Sequence, residues 1–277
     1  MALRSVTDGE ILLDYIQVNL IGQKIVNGLE NMLSFTGREE ELSDFIQELV
    51  GVNTVGRIVV AGSSLTEKYH VTDPLFEREL TYYLRNFFQI NSQYFDPLYR
   101  FAFKAIKASK ESIGDGVRRR LKQWAMSGHN FCYMCGVQLS FENKLQDIDE
   151  KRRGFTCEHI WPREYGGNSV EDNLLPCCSS CNSSKKQNFA TWAMPSVQSL
   201  IRGFSPGDDC LGKIDGSHKF AIHYRFAKKF AHTKNLTLKN AFLKIGPWQD
   251  IRVINDDDVA DFFNLENHAE KGRTYGI

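Results

Sequence analysis

The sequence predicts an α+β fold, a mainly helical chain carrying a small strand-and-turn module at its centre. Three observations predict it. Apolar residues recur at a 3.6-residue period through both flanks. Between Phe131 and Met194 that period gives way to glycines, cysteines and short apolar runs. Four of the seven cysteines form two C-x-x-C pairs inside that stretch, Cys132/Cys135 and Cys178/Cys181. The implied division is a helical region over 1–127, the central module over 128–195 and a second helical region over 196–277.

The first helix follows Thr7-Asp8 as N-cap and places Leu12, Leu13, Ile16 and Leu20 on one face. Glu40 to Val50 and Pro74 to Phe88 read the same way, with Pro74 after Asp73 as a helix start. Between them, Val55 to Gly62 is open between a short strand and a buried turn of helix. Pro97 to Ser109 and Gly116 to Met126 are two further helices. In the second, Leu121, Trp124 and Ala125 face the core, Arg118 and Lys122 share a face, and Arg119 and Arg120 fan away. Beyond Pro195, His218 to His232 is amphipathic, with a stripe of Phe220, His223 or Tyr224, Ala227 and Phe230 or Ala231, and Leu236 to Leu243 forms a short helix.

The formal net charge is zero, but by cancellation. Residues 1–99 carry −7, residues 100–245 carry +11 and residues 246–277 carry −4. The basic middle can attract a phosphate backbone. No apolar run approaches the length of a membrane span, and the first residues lack an apolar signal core, so a cytoplasmic location is expected. In that compartment disulfides are rare.

Two C-x-x-C pairs separated by 42 residues are the arithmetic of one four-thiolate zinc site, Cys132, Cys135, Cys178 and Cys181. Cys177 competes with Cys178, but only Cys178 keeps the x-x spacing to Cys181. Closing a loop of this size through zinc contributes on the order of 10 kcal/mol to folding in small modules. Cys157 is expected to be a packing thiol and Cys210 a core or surface thiol, and His129, His218, His223 and His232 packing or loop groups.

Inside the cysteine bracket runs Cys157-Glu-His-Ile-Trp-Pro-Arg-Glu-Tyr-Gly-Gly167. Phosphodiester hydrolysis needs an activated water and a cation on the scissile phosphate. Histidine accepts a proton near neutral pH, and a carboxylate with a carboxamide offers the hard oxygens that Mg²⁺ prefers. Glu158-His159 supplies the first pair, with Asn173 and Asn182 as candidate carboxamides. Alternation on a strand sends Glu158 and His159 to opposite faces; Pro162 and Gly166-Gly167 imply that the strand ends there, where both can address one phosphate. Asn182, following Cys181, is expected to open a helix running to Met194.

C-x-x-C, then Glu-His-Ile-x-Pro with Gly-Gly, then Asn-Leu-x-x-x-Cys-x-x-Cys-Asn-x-x-Lys, resembles the HNH endonuclease family with its ββα-metal fold. The resemblance covers about 55 of the 277 residues. It implies His159 as general base, Glu158 and Asn182 as ligands of a catalytic Mg²⁺ or Mn²⁺, Asn173 as the residue that positions loop and base, and the four cysteines as a structural Zn²⁺ site. The third motif letter is Asn182 rather than His, as in the four-cysteine branch.

The expected substrate is DNA, double-stranded, with Arg163, Lys185, Lys186, Arg118, Arg119 and Arg120 as candidate phosphate contacts. RNA cleavage, or a non-catalytic zinc module binding nucleic acid or protein, are the rival readings. The acidic N-terminal region is expected to restrain the basic middle. Helical flanks of this size resemble those of anti-phage effectors that work beside an ATPase or sensor subunit.

Overall fold

The computed structural model describes residues 4–88, 90–142, 147–185 and 216–247. It is mostly helical with one small antiparallel sheet, an α+β architecture. The chain folds into two compact units, one of Arg4–Trp124 with Cys157–Leu175, the other of the described residues within Ala125–Thr156 and Pro176–Ile277.

In the first unit, α1 (Asp8–Tyr15) opens on a capping box: Glu10 N–H donates to Thr7 Oγ1 at 3.2 Å, and Thr7 N–H donates to Glu10 Oε2 at 2.9 Å. Burial raises the Glu10 carboxyl pKa. Leu12, Leu13 and Ile16 are buried as their spacing requires, Leu20 only half-buried. After a π-helical stretch (Ile16–Ile21), α2 (Gly22–Leu33) buries no residue.

The long helix α3 (Glu39–Leu65) absorbs both Glu40 to Val50 and the ambiguous 55–62 segment, which is helical. The decision is tertiary. Val55, Ile58, Val59 and Gly62 fall at i, i+3, i+4 and i+7 and all are buried, so helical register satisfies them at once despite β-branched residues. Helix α4 (Pro74–Phe87) starts as expected, with Asp73 capping the Leu75 N–H at 2.8 Å.

Helix α5 (Ser92–Ser109) begins five residues before the expected start, capped by Asn91. Pro97 lies in its second turn, where the missing N–H forfeits a single bond. Phe95, Leu98, Ala102, Ala105 and Ile106 fill its inner face. Helix α6 (Asp115–Met126) buries Leu121 and Ala125 and half-buries Trp124.

Residues 160–173 dock onto this helical body. Trp161 is 1% exposed and its indole N–H donates to the Tyr165 carbonyl at 2.8 Å. Gly9 N–H donates to the Gly166 carbonyl at 2.9 Å. Gly166 has φ +83°, and a Cβ there would sit 2.6 Å from the Ala105 Cβ, so both backbone and space demand glycine.

In the second unit, α7 (Ile148–Arg153) is capped by Asp147. Strand β1 (Phe155–His159) pairs with β2 (Leu174–Cys178); residues 157–159 and 174–175 of these strands belong to the first unit, and 155–156 and 176–178 to this one. The next helix, α8 (Ser179–Lys185), starts at Ser179 rather than Asn182. Its first turn is the second knuckle itself, with Cys178 Sγ accepting the Cys181 N–H at 3.3 Å in the manner of an N-cap. Lys186 to Met194 lie outside the described residues.

Helices α9 (Gly216–Lys234) and α10 (Leu238–Ile245) close this unit. His223, Tyr224, Ala227 and Ala231 of the expected stripe are buried, and the Phe220 side chain lies outside what is described. Phe242 meets Tyr133 edge-to-face and His223 at a tilt, with centroid distances of 5.3 and 5.1 Å. The His223 ring has no hydrogen-bond partner among the described residues, and burial lowers its pKa to about 4, which keeps it neutral. Among the described residues no helix is long and apolar enough to cross a membrane.

Candidate functional site

The sulfurs of Cys132, Cys135, Cys178 and Cys181 lie within 4.8 Å of one another. The Cys132-x-x-Cys135 turn is tied to the end of β2 by Tyr133 N–H donating to the Pro176 carbonyl at 3.1 Å. Four thiols this close cannot all ionise unaided. Hydrogen bonding from Cys135, then Cys177, holds the Cys132 thiol far below its ordinary pKa, while hydrogen bonding to Cys132 pushes Cys135 and Cys181 far up. A divalent soft-ligand cation removes the conflict by stabilising every thiolate together. The donor set and its mostly buried setting fit a structural zinc.

Cys177 is near this centre but outside it. Its sulfur lies 3.7 Å from that of Cys132 and 3.5 Å from the Met134 sulfur, fully buried. Cys157 is half-buried, and burial raises its pKa against the opposing charge of Arg118. Cys210 lies outside the described residues.

At the end of β1, Glu158 is 8% exposed and His159 half-buried. The strand stops at His159, and Asn173 shapes the turn that follows. Asn173 is 1% exposed; its Oδ1 accepts the Trp161 N–H at 2.8 Å, and its Nδ2 donates to the carbonyls of Trp161 at 2.9 Å and Asn168 at 3.0 Å. Its own carbonyl accepts the Ile160 N–H at 2.9 Å. The amide thus stitches both ends of the 160–173 loop. Gly167 completes the closure, since a Cβ there would fall 2.0 Å from the Trp161 carbonyl oxygen. Asn182, half-buried, lies on α8 directly after the Cys181 ligand.

The expected phosphate contacts separate. Arg118 and Arg119 are exposed on α6. Arg120 forms an ion pair with Glu171. Arg163 is exposed, and its Nη1 donates to the Glu111 carbonyl at 3.4 Å. Lys185 is 2% exposed, so its ammonium does not stand on the open surface; Lys186 lies outside the described residues. His129 is exposed beyond α6.

Two features escaped the sequence. Ser169 lies with its Oγ 3.0 Å from His159 Nε2, and Glu111 grips Ser169 in turn. A groove of about 390 Å³ opens between α7 and α8, lined by Lys151, Arg152, Ser179, Ser180, Ser183 and Ile148. The only sequence signal for the groove was the basic end of α7, Lys151-Arg152-Arg153. Nothing short-range marks Ser169, whose partner Glu111 is 58 residues away.

Residues 132–188 match the family model described as HNH endonuclease. The match supports a metal-dependent nuclease of that family, with nucleic acid as substrate. No curated protein and no solved structure matches the chain.

Proposed function

We propose that the chain is an HNH endonuclease that hydrolyses DNA phosphodiester bonds, with His159 as general base and Glu158 and Asn182 holding one catalytic Mg²⁺ or Mn²⁺. The observation that carries the reading is the buried Asn173 amide, which fixes the loop leaving His159 while the thiol cluster anchors the helix bearing Asn182.

In this reading His159 takes a proton from water. The hydroxide so formed bonds to phosphorus in line as the bond to the 3′ oxygen breaks, and that oxygen takes a proton from solvent water, leaving 5′-phosphate and 3′-hydroxyl ends. When bound, the divalent ion offsets negative charge on the phosphate and the departing oxygen. Glu158 is suited to that ion because a nearly buried carboxylate keeps few competing waters. Asn173 keeps the His159 end of β1 from swinging. Arg118, Arg119 and Arg163 offer exposed cations for the backbone.

The test is supercoiled plasmid with Mg²⁺ or Mn²⁺, on protein whose zinc content is measured in the same preparation. Wild type should carry about one zinc per chain and nick or cut. His159→Ala should lose roughly 10²–10⁴-fold in rate at unchanged zinc content. Equal binding without cleavage by either protein would establish a non-catalytic zinc module, and cleavage of an RNA substrate alone would replace DNA.

The helical flanks support an effector of bacterial anti-phage defence working beside an ATPase or sensor subunit. Phage plaque counts on cells expressing wild type against His159→Ala decide this, and identical counts end it.

A further inference from the structure

The inference rests on reading Glu158, His159 and Asn173 as the nuclease core. Helix α5 ends at Ser109, and the chain just beyond it is still anchored. Glu111 N–H donates to the Ala108 carbonyl at 3.0 Å, and Ala108 is fully buried. From that fixed position Glu111 meets the 160–173 loop with every acceptor it has. Its Oε2 accepts the Ser169 N–H at 3.0 Å and its Oε1 accepts from Asn168 Nδ2 at 3.4 Å. Its carbonyl accepts the Ser169 hydroxyl at 3.3 Å and Arg163 Nη1 at 3.4 Å. Arg163 lies where the chain leaves His159 and residues 168–169 lie where it returns, so one residue joins both limbs of the loop.

The shortest of these bonds sets a backbone N–H on a carboxylate oxygen, the charge-assisted kind. The other side of the same residues is taken by Asn173, whose Nδ2 donates to the Asn168 carbonyl at 3.0 Å. Asn173 belongs to the matched segment 132–188, whereas Glu111 comes from the N-terminal helical region. Both lie in one compact unit. Between these two holds, Ser169 Oγ lies 3.0 Å from His159 Nε2, so any shift of residues 168–169 moves a group that touches the ring.

We propose that Glu111 is a positioning residue, clamping the loop from outside as Asn173 does from within. A helix beyond the nuclease motif thereby helps to set the alignment at the end of β1. Losing the clamp costs turnover, leaving zinc and substrate affinity in place.

The test uses full-length, zinc-loaded Glu111→Ala, Glu111→Gln and Glu164→Ala. Glutamine keeps one acceptor oxygen for the Ser169 N–H. Glu164 is an exposed carboxylate on the same loop, and its removal controls for charge lost near a phosphate substrate. In Glu111→Ala, amide hydrogen exchange at Ser169 should quicken roughly tenfold. On plasmid, kcat should fall roughly 10- to 100-fold at unchanged KM and zinc content. Glu111→Gln should recover most of both readouts, and Glu164→Ala should match wild type in exchange and kcat. Unaltered Ser169 exchange or unaltered kcat in Glu111→Ala overturns the proposal, as does an equal loss of kcat in Glu164→Ala. A loss of zinc or a rise in KM that accounts for the defect also overturns it, marking a role in folding or substrate binding instead. Absence of cleavage by wild type with Mg²⁺ or Mn²⁺ is a separate result: it sinks the nuclease reading and reduces the clamp to architecture.

Discussion

At Cys177 and Cys178 two adjacent thiols meet different surroundings. The Cys178 sulfur belongs to the four-thiol cluster and caps the first turn of α8, whereas the Cys177 sulfur packs on Met134. Only the first should change metal content. Cys178→Ser is expected to weaken zinc binding more than about 100-fold, beyond what losing an outer-shell partner does, as read by chelator competition. Cys177→Ser should retain about one zinc per chain, and loss of zinc there instead would reassign the ligand. This distinction was legible in the sequence because x-x spacing is a local property of a knuckle. Lys185 shows the opposite case: a lysine four residues past a zinc ligand reads as a surface cation, yet packing encloses it. Ser169 was illegible for a related reason, since its role comes from Glu111, a partner set by folding rather than by spacing.

At the scale of elements, α3 settles a question that local pattern left open. The 55–62 segment holds β-branched residues and two glycines, which disfavour helix in isolation. Both glycines are instead contact points. A Cβ on Gly56 would sit 2.6 Å from the Tyr165 ring, and one on Gly62 would sit 2.1 Å from Ile106 Cδ1. Gly62→Ala should therefore destabilise the protein by about 1–3 kcal/mol through overpacking of α3 against α5, despite the better helix propensity of alanine. In α2, Gly28 has nothing within 4 Å of the same position, and Gly28→Ala should instead stabilise by up to about 1 kcal/mol. Urea unfolding of the two variants measures both signs, and equal shifts would refute the packing account. The starts of α5 and α8 were misplaced for similar reasons: Pro97 is tolerated near an N-terminus, and a sulfur supplied the cap that a serine or aspartate signals elsewhere.

At the scale of the whole molecule, the matched segment and the folding unit do not coincide. Residues 157–175, which carry Glu158, His159 and Asn173, pack within the same compact unit as 4–124. A fragment of 128–195 should accordingly bind zinc weakly or not at all and show no cooperative unfolding, whereas the full chain melts cooperatively; circular dichroism and metal analysis of the two compare them. A fragment that melted cooperatively with one zinc would show the module to be self-sufficient. The helical character and the cysteine bracket were readable from periodicity and spacing. The partition of the module was not, because it depends on contacts such as Asp8 with Asn168, 160 residues apart. Those same contacts set an order of events during synthesis. Domains fold from the N-terminus as they leave the ribosome, so helices α1 to α5 emerge long before the loop that docks on them. Trp161 and Tyr165 arrive only after their seats at Gly9 and Gly56 exist, and the last zinc ligand, Cys181, arrives later still. A nascent chain cut short before Cys181 would thus be born without its four-thiol centre complete.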